Sequence, residues 1–157
     1  QYSKYEAEEG VVIVYGSMYG NTEEMAEVVA RGLSENGIKN IVIHDVSKTH
    51  PSEILSDIFR YSGFIAGSPT YSNELYPGVK SLLDKIETRG VKGRIFGYFG
   101  SFTWAGAALK HFNAFAETMK WEVVGEPVEE KMALKQEKAT ACAALGKAMA
   151  DKLISLR

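Results

Sequence analysis

The chain has 157 residues, 45% of them hydrophobic, with a formal net charge of −2 and a single cysteine. This length suits one domain with a well-formed core, and no apolar stretch approaches the roughly 20 residues of a membrane span. The slight acidity gives a nucleic-acid surface no support. Cys142 alone excludes an internal disulfide and a cysteine metal cluster, which fits a reducing, cytoplasmic compartment.

The polar opening has neither the basic start nor the apolar centre of a signal peptide. Residues 1–9 read as a linker or boundary segment, and residues 10–157 as the domain. The start at Gln1 rather than Met suggests a piece of a larger protein. Val11 to Tyr15 is an apolar run of strand type, followed by Gly16 and the polar loop Ser17-Met18-Tyr19-Gly20-Asn21-Thr22. From Glu23 a helical pattern places Met25, Val29 and Leu33 on one face until Asn36-Gly37 stops it. Ile41 to His44 is a second strand. Ser52 to Tyr61 is expected to be helical, with Pro51 in its first turn and a face of Ile54, Leu55, Ile58 and Phe59.

Phe64 to Gly67 reads as a short third strand running into Ser68-Pro69-Thr70-Tyr71-Ser72-Asn73. Leu75, Val79, Leu82, Leu83 and Ile86 form a helical stripe that ends near Gly90. Arg94 to Gly100 is a fourth strand, leading into Ser101-Phe102-Thr103-Trp104-Ala105-Gly106. Ala108, Phe112, Phe115 and Met119 mark the next helix, and Trp121 to Val124, continued around Val128, the last strand. Cys142, Gly146, Met149, Leu153 and Leu156 line a final helix. Strand and helix alternate throughout, which predicts a parallel sheet with helices on both faces, an α/β three-layer sandwich.

Three strands therefore end in loops of similar, unusual composition. In an open α/β sheet, ligands bind beyond the carboxyl ends of the strands where strand order reverses. The first loop delivers hydroxyl, amide and backbone N–H groups to a helix N-terminus, a setting that favours a phosphate. It holds neither the Gly-Lys-Ser/Thr cradle nor Gly-x-Gly-x-x-Gly. Without Lys or Arg, the anion must be held by neutral donors. Hydrogen bonds to charged groups contribute roughly 1.5–3 kcal/mol each, so several suffice. The competing structural reading is a helix simply capped by Asn21 or Thr22. The other two loops add large aromatics, so the ligand these loops suit has a phosphate tail and a flat ring, as FMN does.

Ser17-Met18-Tyr19-Gly20-Asn21-Thr22 resembles the FMN phosphate loop of flavodoxins, Gly67-Ser68-Pro69-Thr70-Tyr71 their second flavin loop, and Gly100-Ser101-Phe102-Thr103-Trp104-Ala105-Gly106 their third. The details are most similar to the C-terminal flavodoxin-like domain of flavodiiron proteins, over nearly the whole chain. The resemblance implies a five-stranded parallel sheet in order 2-1-3-4-5 with five helices. It implies that Ser17 to Thr22 bind the phosphate, that Ser68, Pro69, Thr70, Tyr71, Ser72 and Asn73 together with Ser101, Phe102, Thr103, Trp104 and Gly106 border the ring, and that Tyr71 or Trp104 stacks on it. One departure stands out: Tyr71-Ser72-Asn73-Glu74 has no glycine where many flavodoxins flip a peptide on flavin reduction.

In that family an N-terminal diiron domain reduces O2 or NO, subunits assemble head to tail, and a small donor such as rubredoxin or a reductase supplies electrons. The resemblance thus implies an electron-transfer domain without catalytic residues of its own, acting with a diiron domain of the same or a partner chain. Homo-oligomers are expected of the full-length protein. A free-standing flavodoxin or an FMN-dependent NAD(P)H:quinone reductase is the alternative. A phosphoacceptor signalling domain requires carboxylates where Gly16-Ser17 and Gly67-Ser68 stand. His44, His50 and His111 have no metal-ligand spacing.

Overall fold

In the computed structural model, residues 8–16, 21–71, 74–75, 77–91, 93–101, 107–124, 128–129 and 135–156 are described. In chain order the elements are β1 (Glu8–Tyr15), α1 (Asn21–Glu35), β2 (Ile41–Asp45), α2 (Pro51–Arg60), β3 (Tyr61–Tyr71), β4 (Glu74–Leu75), α3 (Pro77–Arg89), β5 (Ile95–Ser101), α4 (Ala107–Met119), β6 (Glu122–Val123), β7 (Val128–Glu129) and α5 (Lys135–Ser155). The sheet runs β2-β1-β3-β5-β6, and these neighbours are parallel. β7 also lies parallel to β5, so the last strand arrives in two short pieces. Counted over the principal strands, this is the expected order 2-1-3-4-5. The short β4 pairs antiparallel with β3.

Alternate residues of the central strands enter two separate cores, as the two-residue period of a strand requires. Val12, Val14, Phe64, Ala66, Phe96 and Tyr98 join side chains of α2, α3 and α4. Val11, Ile13, Tyr15, Ile65, Ile95 and Phe99 join those of α1 and α5. Burial on both faces explains why these strands read as continuous apolar runs. On the first face, Phe96 lies 5.5 Å from Phe64, 5.5 Å from Phe115 and 5.9 Å from Trp121, centroid to centroid, in stacked and edge-on arrangements. The Trp121 indole N–H donates to the Val91 carbonyl at 3.2 Å.

On the second face α1 and α5 touch through glycine. A Cβ on Gly146 would lie 2.5 Å from the Val29 carbonyl oxygen, and one on Gly32 would lie 2.8 Å from that of Ala143. Gly37, with φ +96°, ends the turn after α1, as Asn36-Gly37 predicts. α2 is fixed at both ends. His50 caps its start by accepting the Ser52 N–H at 3.1 Å, beside Pro51, which has no N–H to satisfy. Arg94, only 5% exposed, donates to the last-turn carbonyls of Ile58 and Phe59 at 2.9 Å each. His44 Nε2 lies 2.7 Å from Asp57 Oδ2, tying β2 to α2.

Several expectations change. β1 begins at Glu8, so Glu8 and Glu9 belong to the strand rather than to a linker. α1 begins at Asn21, placing Asn21 and Thr22 within its first turn instead of ahead of it. α2 stops at Arg60 and Tyr61 opens β3, which is 11 residues long rather than four. Leu75 lies in β4, and α3 starts at Pro77, a residue suited to a first helical position. Phe59 is 46% exposed and Leu156, past the end of α5, is 58% exposed, so neither joins the core faces assigned to them. Of the expected strand 121–124, Glu122 and Val123 form β6 and pair with Ile95 and Phe96 of β5, and the Val124 N–H donates to the Phe96 carbonyl at 2.9 Å.

Candidate cofactor site

The strand order reverses between β1 and β3: β1 continues outward to β2, and β3 continues the other way to β5. The register fixes where each strand ends. Tyr15 is level with Gly67, Gly67 with Phe99, Ser68 with Gly100, and Pro69 with Ser101. Of β1, β3 and β5, β1 therefore stops first at this edge, and β3 runs four residues beyond it. That step, flanked by the start of α1, lies at the topological switch point, where open α/β sheets bind ligands.

Close backbone packing holds the step in place. The Gly16 N–H donates to the Gly67 carbonyl at 3.1 Å, and the Val46 N–H to the Tyr15 carbonyl at 3.0 Å. A Cβ on Gly67 would sit 2.2 Å from Cε2 of Phe99, whose ring is fully buried. Glycine is thus required there by close approach, with no demand on φ. Beyond Gly67, β3 has no further register partner in β1. Pro69, which lacks an N–H, is tolerated at such an edge. β3 then pairs with β4, Thr70 against Leu75 and Tyr71 against Glu74, so the second loop is built on an antiparallel pair.

Glu23 and Glu24 are exposed in the first turn of α1. The Tyr15 phenol is held above its ordinary range first by burial and then by Asp45, Glu23 and Glu27. These carboxylates supply no positive charge, so an anion at this edge depends on backbone N–H and hydroxyl donors. The first turn of α1 has N–H groups without partners inside the helix. Among the described residues, no group of three or more His, Cys, Asp or Glu could hold a metal ion, and no helix is long and apolar enough to cross a membrane.

Asn21 and Thr22 open α1, Ser68, Pro69, Thr70 and Tyr71 close β3, and Ser101 closes β5, so backbone from all three candidate loops meets one sheet edge. Ser17, Met18, Tyr19, Gly20, Ser72, Asn73, Phe102, Thr103, Trp104 and Gly106 lie outside the described residues. Reading the sequence alone missed the β3–β4 pair and the steric role of Gly67. Pro77 as a helix-opening residue was the available signal for the former. This stepped edge, with helix N–H donors on one side and two strand ends on the other, fits a ligand with a phosphate and a flat ring.

Comparison with known proteins agrees with this geometry. The family model described as Flavodoxin matches residues 13–146. Rubredoxin-oxygen oxidoreductase of Megalodesulfovibrio gigas is 32% identical over 131 residues, covering 83% of this chain and 32% of that protein. The solved structure of rubredoxin oxygen:oxidoreductase from Desulfovibrio gigas superposes with a TM-score of 0.91 at 28% identity, over 97% of this chain and 38% of the other. The Flv1 flavodiiron core from Synechocystis gives 0.86 at 26% identity, over 95% and 37%. The chain spans about a third or less of the length of the curated relatives it matches. Its homologues and structural neighbours include flavodiiron proteins, and FMN is the cofactor of the flavodoxin domain. This chain belongs to the flavodoxin family.

Proposed function

We infer that the chain is an FMN-binding electron-transfer domain, passing electrons from a small redox protein or a reductase to the diiron site of a flavodiiron O2 or NO reductase. The observation that carries this reading is the convergence of the β1, β3 and β5 ends at the β1/β3 reversal. FMN supplies one- and two-electron redox chemistry when bound. Ser17 to Thr22 would hold its phosphate against the start of α1. Pro69 to Asn73 and Ser101 to Gly106 would border its ring, with Tyr71 or Trp104 against a face or edge. The chain's own task is to bind, orient and shield the cofactor. The diiron domain belongs to the same chain or to a partner in a homo-oligomer, and the setting is cytoplasmic. A relative named for rubredoxin and oxygen supports rubredoxin as the donor.

Two measurements test the reading. Apo-protein titrated with FMN should quench flavin fluorescence to an endpoint of one FMN per chain. The loaded chain, mixed with reduced rubredoxin, should accept its electrons and pass them to a separately supplied diiron domain. Failure to take up FMN overturns the reading. Rapid turnover of NAD(P)H with a quinone by the isolated chain would replace it with the reductase.

A further inference from the structure

A second concave surface lies between α2 and α3. It is an open cleft of about 460 Å³ lined by His50, Pro51, Ser52, Leu55, Ser56, Phe59, Lys85 and Arg89. The helical period sorts its walls. Ser52, Leu55, Ser56 and Phe59 form one stripe of α2, spaced three and four apart, and Lys85 and Arg89 are four apart on α3. One wall is therefore apolar with two hydroxyls, and the other is cationic. Leu55 is buried at the base, while Phe59 is 46% exposed at the rim. Lys80 pairs with Asp84 on α3 at 3.6 Å, whereas Lys85 and Arg89 have no ion-pair partner among the described residues.

We propose that this cleft docks an acidic, amphipathic helical segment of a partner protein, with an apolar side chain against Leu55 and Phe59 and carboxylates on Lys85 and Arg89. The charge match selects the occupant: two cations a helical turn apart, without an ion-pair partner among the described residues, face an apolar stripe, on a chain of net charge −2. Carboxylates four apart on a partner helix have the complementary spacing. The half-exposed Phe59 leaves the cleft too open to enclose a small ligand, which needs most of its surface buried. A helix laid along the cleft covers Phe59 instead.

The test uses the 15N-labelled chain and a synthetic helical peptide carrying a Phe–Leu stripe beside two Glu residues four apart. Its control has both Glu residues replaced by Lys. The acidic peptide should shift amides in 52–59 and 85–89 saturably. Lys85→Glu with Arg89→Glu should weaken it by about tenfold or more, as should roughly 0.5 M salt. FMN content should be unchanged in that variant, which separates this proposal from the cofactor reading. Equal binding of the Lys peptide, or no shifts in these segments, overturns the proposal. So does equally tight binding of indole-3-acetate at the same amides, which would mark a small-ligand cleft. Self-association abolished by the charge reversal would make the face a contact between copies and likewise overturn it.

Discussion

Gly67 and Phe99, level with each other on neighbouring strands, are packed so closely that any side chain on Gly67 would enter the Phe99 ring. The ring is fully buried, in an interior where added volume forces its neighbours to shift. Gly67→Ala should therefore destabilise the domain by about 1–3 kcal/mol, the usual range for overpacking. Phe99→Leu in the same chain should recover part of the loss, which urea unfolding of the single and double variants checks. Because Gly67 also receives the Gly16 N–H, the single variant should weaken FMN binding as well.

The α1–α5 contact makes a related prediction with competing terms. Alanine is favoured over glycine within a helix by about 1 kcal/mol. At Gly146 the new Cβ would meet the rigid Val29 carbonyl at 2.5 Å, so the clash should win. Gly146→Ala should lower the thermal midpoint, whereas a gain in stability would show that the helices can separate without loss.

At the other end of the fold, Arg94→Ala should cost about 3 kcal/mol, since it leaves two carbonyls of the last α2 turn without their donor. Arg94→Lys should lie between Ala and wild type, as a single ammonium lacks the forked geometry that spans both oxygens. His50→Ala should cost about 1 kcal/mol through loss of the α2 cap, and His50→Ser should restore most of it. Chemical denaturation ranks all four variants.

Stability should also fall in alkali. Burial holds the Tyr98 phenol above 10.0, and burial with Asp45, Glu23 and Glu27 does the same for Tyr15. Above that pH the unfolded phenols release protons that the folded ones retain, so the unfolded state binds fewer protons and stability declines as pH rises towards the folded values. An ultraviolet titration should show these two phenols ionising late. Tyr15→Phe with Tyr98→Phe should remove the late phase and reduce the alkaline loss.

Much of this architecture was legible in the sequence because burial on both faces leaves a plain signal. Val11 to Tyr15 and Ile95 to Phe99 read as strands for that reason, and the alternation with helices points to a parallel sheet covered on both faces, whereas its order 2-1-3-4-5 follows only from the resemblance to flavodoxins. The end of β3 was not legible. Ser68 to Asn73 has turn-like composition, yet Ser68 and Pro69 extend the strand by pairing with Gly100 and Ser101, and Thr70 and Tyr71 by pairing with β4. Pairing overrode local preference there. Phe59 was misjudged for the opposite reason: its helical position borders the buried stripe, and the α2–α3 cleft leaves it half exposed. For the candidate site, sequence placed Asn21, Thr22, Ser68 to Tyr71 and Ser101 on three loops. Their meeting at one edge is a property of register and strand order.

The central claim is that the edge formed by β1, β3 and β5 holds FMN by its phosphate at the start of α1. The most direct test compares FMN with riboflavin, which lacks the phosphate, on wild type and on Asn21→Ala with Thr22→Ala. Wild type should bind one FMN per chain, and the double variant should lose FMN affinity by at least tenfold, about 1.4 kcal/mol, while riboflavin binding changes little. Equal losses for both ligands, or a chain that takes up no FMN at all, would contradict it.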